Sequence, residues 1–272
     1  MADLLRNDLI DASRKSRKPT WTWQNMVVDL PPITWPFVAA RFSPLSNALA
    51  LAFIPLMKDA PHRCELQRAI SAVAEVTAEL KTHQHDIDSH MVTMVELRNR
   101  AQHLVLDLAP LSASGVSVSG EKEDGGDHPQ IGARQKAIDV PSFLHEVIRI
   151  SLLIYNNLVI YPMSRASGVE TRLAQQLKAT FYSGLQSEIL DVTSYTDLLV
   201  WSIVLGGIST EDAEDRSWFQ TQYCDITRIG GRLPDWYCTV ELLSSFIWLD
   251  FVLHEEAKKF WTACQYGKHF SG

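Results

Sequence analysis

The chain has 272 residues, 46% of them hydrophobic and 21% charged, and carries a formal net charge of −7 at pH 7. A chain this long buries roughly three quarters of its unfolded surface, ample for one core and marginal for two. The acidic balance argues against a phosphate-binding face and so against direct nucleic-acid binding, and 13 glycines and 12 prolines are too few for a turn-rich all-β chain.

The start, Met1-Ala2-Asp3-Leu4-Leu5-Arg6-Asn7, meets an acidic residue at once and does not read as a secretory signal. Leu4, Leu5, Leu9 and Ala12 recur at helical spacing and predict a short amphipathic helix over 3–14. Arg14-Lys15-Ser16-Arg17-Lys18 reads as a solvated helix end before Pro19, with a nuclear-import signal as the functional alternative. Residues 1–42 continue as an irregular arm, because Pro31-Pro32 and Trp35-Pro36 remove donors and restrict their predecessors. Its indoles, Trp21, Trp23 and Trp35, are expected to lie against the domain surface.

Residues 43–110 form a first helical half. Ser43-Pro44 opens a helix expected to run to about Ile54 and stop at Pro55. Leu66, Ile70, Val73, Val76 and Leu80 then keep spacings of three and four, and Met91, Met94, Val95 and Leu97 form a second apolar group. A turn between two helices is expected around His83–His90. Residues 111–138, rich in serine, glycine and acids, read as a flexible linker or loop.

A second half of the same domain spans 139–272. Phe143, Val147, Ile150, Ile154, Leu158 and Tyr161 hold one period until Pro162, and Leu173, Leu177 and Phe181 continue on the next helix. Helices over about 195–205, 209–228, 234–248 and 253–264 complete an all-α, multi-helix array. Gly206-Gly207 reads as a helix C-terminal stop, with a close helix crossing or ligand approach as the alternative.

Chemistry-bearing patterns are sparse. Cys64, Cys224, Cys238 and Cys264 have no Cys-x-x-Cys spacing and are expected to be buried small hydrophobes in a reducing compartment. His83, His85, Asp86, Asp88 and His90 hold ligand-type side chains. On a helix, however, His83 and His85 point about 200° apart, so a solvated turn is the better reading and no metal is expected. Asp212 with Asp215, or Glu255 with Glu256, would serve as acid–base groups only if buried. The magnesium-binding Asp-Asp-x-x-Asp of helical isoprenoid cyclases does not occur, and no Walker loop, dinucleotide fingerprint or nucleophile elbow is present. No stretch reaches about 18 uninterrupted apolar residues, so no membrane span is expected. Indole and phenyl side chains serve packing and ligand pockets more readily than proton transfer.

The second half resembles the regulatory domain of fungal-specific, binuclear-zinc-cluster transcription factors. The resemblance is carried by His145-Glu146-Val147-Ile148-Arg149-Ile150-Ser151-Leu152-Leu153-Ile154-Tyr155, by Leu173-Ala174-Gln175-Gln176-Leu177-Lys178, and by Trp201-Ser202-Ile203-Val204-Leu205-Gly206-Gly207. Arg216-Ser217-Trp218-Phe219, Phe246-Ile247-Trp248-Leu249-Asp250 and Phe260-Trp261 complete it, over residues 140–264. It implies an all-helical domain that controls a DNA-binding module, sometimes by binding a small apolar molecule. The six grouped cysteines of the zinc cluster do not precede this region, so no DNA-contacting residue carries over. The expected function is ligand or partner binding without catalysis, in the nucleus or cytoplasm and with no cofactor. Tyr155, Trp201, Trp218, Phe246 and Trp248 are the candidate ligand-binding residues. Expected partners are an apolar small molecule and a homo- or heterodimer with other transcription regulators. The rival is a helical enzyme of secondary metabolism with an apolar cavity.

Overall fold

A computed structural model describes residues 44–58, 60–84, 91–108, 110, 139–185, 191–231 and 235–267. Among them are nine α-helices and no strand, the all-α array expected. In chain order these are α1 (Pro44–Leu51), α2 (Arg63–Thr82), α3 (Met91–Leu106), α4 (Val140–Tyr155) and α5 (Val169–Leu185). α6 (Val192–Ser209), α7 (Ala213–Ile229), α8 (Trp236–Ser245) and α9 (Asp250–Gly267) follow. The expected helix over 3–14, the basic run, the tryptophan-bearing arm, the linker and most of the histidine-rich turn lie outside the described residues.

Chain neighbours pair as helical hairpins, α2 with α3, α4 with α5 and α6 with α7, and two helices tie the pairs together. α4 touches α2, α3, α5 and α6; α6 touches α4, α5, α7, α8 and α9. A helix with neighbours on all sides must be apolar all round. α6 obeys this, for every residue from Leu198 to Ser209 is buried. Residues Val140–Ile160 and Val192–Ser209 are each long and apolar enough to cross a membrane by length and composition. Burial of 89% and 72% of those windows inside the array accounts for their apolarity.

Local signals set the ends. Aspartates cap three helices: Asp191 accepts from the Thr193 amide, Asp212 from Asp215 and Asp235 from Cys238. α1 is shorter than its pattern suggested. It stops at Leu51, and Pro55 opens a 3-10 turn instead of ending the helix. α4 does not stop at Tyr155 but widens into a π turn over Asn156–Ile160, closed by the Tyr161 amide donating to the Asn156 carbonyl at 2.7 Å. Pro162, with no N–H, follows it.

Two sequence expectations need correction. Gly206 and Gly207 do not end a helix; they lie inside α6, where its neighbours come closest. A Cβ on Gly206 would stand 2.5 Å from the Phe219 ring of α7, and one on Gly207 2.2 Å from the Phe260 ring of α9. The glycines are holes that two phenyl rings fill. Nor are all four cysteines buried: Cys264 is, Cys224 is half-buried, and Cys64 and Cys238 are exposed.

The glycine crossing is directly testable. Gly207→Ala recovers about 1 kcal/mol of helix propensity but forces the buried Phe260 ring aside, and overpacking costs about 1–3 kcal/mol. The expected net result is a loss of up to about 2 kcal/mol in urea unfolding. The loss should be smaller when Phe260→Leu is already present, so the double-mutant cycle is non-additive. Additive behaviour would mean that the ring does not occupy the glycine hole.

Candidate functional site

A recess of about 560 Å³ lies where four helix ends converge. Its wall takes Ala52 and Leu56 from the turn after α1, Thr193 and Tyr195 from the first turn of α6, Ile229 from the end of α7, and Phe246 from the exit of α8. The local chemistry explains why backbone comes so close here. Asp191, hydrogen-bonded by Ser194 and Thr193 and held below the usual carboxylate range by those bonds, fixes the start of α6. α7 ends at Gly230, where a Cβ would lie 2.8 Å from Thr196 of α6, and Gly231 then takes a left-handed φ of 65°. The lining is mixed: Leu56, Ile229 and Phe246 offer apolar surface, while Thr193, Ser194 and Ser245 offer hydroxyls. That combination suits a ligand with an apolar body and a few polar groups.

Behind the recess stands an aromatic triad. Phe53 meets Trp201 edge-on at 5.4 Å and Phe246 edge-on at 5.1 Å, while Trp201 and Phe246 stack at 5.6 Å. The Trp201 indole N–H donates to the Ile247 carbonyl at 3.1 Å, tying α6 to the segment between α8 and α9. Of the five residues read from the sequence, the structure brings together Trp201 and Phe246, and Phe246 lines the recess. The other three lie elsewhere. Tyr155 is buried between α4 and α2, its hydroxyl 2.9 Å from that of Thr77 and its pKa pushed up by burial. Trp218 is half-buried beside Tyr182, Phe181 and Phe219, with the Lys178 ammonium 5.8 Å from its ring. Trp248 is 1% exposed, its indole N–H buried without an acceptor, and no ring contact among the described residues joins it to the triad. The five therefore do not line one pocket. Phe53, the third member of the triad, was missed because it reads as one more apolar position in a short helix.

The titratable groups are mostly paired. Asp215 is buried, and burial alone would raise its pKa. Hydrogen bonds from Lys178 at 2.7 Å and Gln175 at 3.1 Å outweigh that and hold the carboxylate below its usual range. Its partner in the suggested acid–base pair, Asp212, is the α7 cap. Arg149, 3% exposed, is gripped through two nitrogens by Glu146. His83 pairs with Glu79 at 3.3 Å, and no metal-type cluster occurs among the described residues.

His145 is different. It is fully buried in α4, both ring nitrogens lack hydrogen-bond partners, and its ring centre is 6.2 Å from that of His62. Burial lowers its pKa from 6.5 to about 4; Glu146 and Glu65 oppose the shift, and Arg149 and His62 add to it.

No protein family matches this chain, and no curated protein or solved structure does either.

The neutral His145 sets an acid limit on stability. Above pH 6.5 neither folded nor unfolded chain carries the proton. Between 6.5 and about 4 only the unfolded chain takes it up, so stability falls as pH falls. The 2.5-unit difference corresponds to at most about 3 kcal/mol, fully lost below pH 4. Urea unfolding of wild type and His145→Met from pH 7.5 to 4 should diverge by this amount. Parallel curves would show that the imidazole is charged inside the fold.

Proposed function

We propose that the chain is a helical regulatory domain, similar in kind to those of zinc-cluster transcription regulators, that binds an apolar small molecule and makes or breaks no bond. The observation that carries the reading is the position of the 560 Å³ recess: its wall is drawn from four separate elements and backed by the Phe53–Trp201–Phe246 triad. A ligand spanning those ends contacts surfaces that belong to different helices, and its binding free energy depends on how they are arranged. That dependence is what a population shift requires. Pairing of Asp215 and Arg149 supports the same reading, because a carboxylate kept ionised by its ion pair and a guanidinium that does not deprotonate are poor proton-transfer groups. Action on a partner DNA-binding module, in the nucleus, is the role the sequence pattern adds.

The test is native mass spectrometry of the chain purified from its own host. Wild type is expected to carry a co-purifying small molecule. Ser245→Trp, which plants an indole from an exposed position into the recess, should lose it while keeping its helical circular dichroism. Affinity for the molecule, once extracted, should drop at least tenfold, about 1.4 kcal/mol. Turnover of a metabolite by the purified chain, abolished by replacing one acidic or imidazole side chain, would overturn the reading.

A further inference from the structure

A second recess, about 180 Å³, opens at the other end of α6, between the π turn, the start of α5 and the first turns of α9. Its position follows from local backbone events. The π turn ends before Pro162, a 3-10 turn spans Arg165–Ser167, and Gly168, at a left-handed φ of 65°, swings the chain into α5. This path puts Arg165 and Glu170 on one side of the recess, facing Glu256 of α9. Apolar surface comes from Met163, Ile208 and Leu253. At a liquid share of about 30 Å³ per water, the space takes roughly six water-sized groups.

Glu170 is the unusual member. It is 4% exposed, yet its carboxylate accepts no hydrogen bond among the described residues. Its oxygens keep a little accessible surface toward the recess, so a partner for them has to come from what enters it. The obvious candidate, Arg165, is turned to Glu256 at 3.9 Å and remains 43% exposed. Glu256 is already met by Lys259 at 2.8 Å, so of the two carboxylates on the recess only Glu170 has no ion-pair partner among the described residues. Burial raises the Glu170 pKa, Arg165 lowers it and Glu211 raises it further.

We propose that this recess binds a primary alkylammonium group, with the ammonium donating to Glu170 and a short alkyl chain lying along Met163, Ile208 and Leu253. A neutral alkyl group would leave the carboxylate unpaired, and an anion would meet two carboxylates. A divalent ion would find too few ligands, since no three acidic, histidine or cysteine side chains converge among the described residues. A cation with three donors on a chain of three to five carbons satisfies both the charge and the roughly six-group volume. The proposal does not depend on what occupies the larger recess. The same chemistry is borne by a free amine and by the lysine side chain of a partner protein.

The test is a titration of the 15N-labelled full chain with n-butylammonium chloride, n-butanol and Nα-acetyl-lysine methylamide, followed by amide shifts. Saturable shifts centred on Met163, Glu170 and Leu253 are expected with n-butylammonium and not with n-butanol. Glu170→Gln should weaken binding at least tenfold. Val252→Trp, from a 41% exposed position on the rim, should block it while leaving Glu170 in place. Binding should also fade as pH drops, earlier than for an ordinary carboxylate, with Arg165, Glu211 and Glu256 facing Glu170 and with Arg216 and Lys259 beside Glu256. Comparable binding of acetyl-lysine methylamide assigns the site to a partner's lysine; its exclusion assigns the site to free amines. Equal binding of butanol and butylammonium, or undiminished binding by Glu170→Gln, would overturn the proposal.

Discussion

The fold depends on one close approach, that of α7 and α9 to the Gly206–Gly207 step of α6. A helix touched by five others cannot carry large side chains at every contact, because the crossing distances would exceed what the short connections allow. Two adjacent glycines relieve this on two faces of the same turn. Phe219 enters from one side and Phe260 from the other. The rings supply the buried area that the glycines lack, and the helix is locked against sliding by side chains that are not its own. Trp201 locks it a second time, a turn and a half earlier, through the hydrogen bond to the Ile247 carbonyl. That bond also satisfies the Ile247 carbonyl in the non-helical segment Phe246–Leu249, where the Leu249 carbonyl is taken by the Val252 and Leu253 amides.

Rigidity along α6 explains where empty space is left. Its middle is filled by phenyl and indole groups, and both recesses lie toward its ends, where neighbouring helices begin or stop and their backbones diverge. The larger recess lies at the Thr193–Leu198 end and the smaller one touches Ile208. Their lining residues, Thr193–Leu198 and Ile208, are about 15–22 Å apart along the helix axis. They differ in chemistry for the same reason that they differ in place. The first is walled by helix termini with hydroxyls and a phenyl ring; the second is cut into the π turn, where a widened backbone leaves room beside a buried carboxyl.

Much of this was legible in the sequence. Periods of three and four located α2 and placed α5 on its apolar positions, because each has one apolar face and one polar face; α4 kept its period although it is buried nearly all round. α6 was found by its apolarity but misjudged at Gly206-Gly207, since a glycine pair reads the same at a helix end and at a crossing. Only the partner rings, 13 and 53 residues away in sequence, tell the two apart. The aromatic candidates were chosen by density along the chain. Density picked out Trp201 and Phe246, which do meet, but could not foresee that Tyr155 and Trp218 pack on other helices, because one-dimensional spacing holds no information on which helix faces which. Glu170 gave no signal at all: an acidic residue in a helix's first turn is the ordinary complement to the dipole, and its burial comes from the tertiary packing around the start of α5.

The contrast between Asp215 and Glu170 bears most on what the molecule does. Both are carboxylates near helix starts, both are nearly covered, and α5 contributes to both environments. Asp215 receives Lys178 and Gln175 from that helix and becomes part of the scaffold. Glu170 lies on the same helix two turns earlier, where the 3-10 turn draws Arg165 toward Glu256 instead. The fold thus completes one buried acid internally and leaves the other with an open coordination. A structure that satisfied every buried charge would have nothing to gain electrostatically from a cation. This one does, at a position touching the end of the helix around which its other contacts are organised. Any group that neutralises Glu170 acts on the same helix as whatever fills the larger recess, so the two binding free energies are thermodynamically linked to the extent that α6 shifts between them.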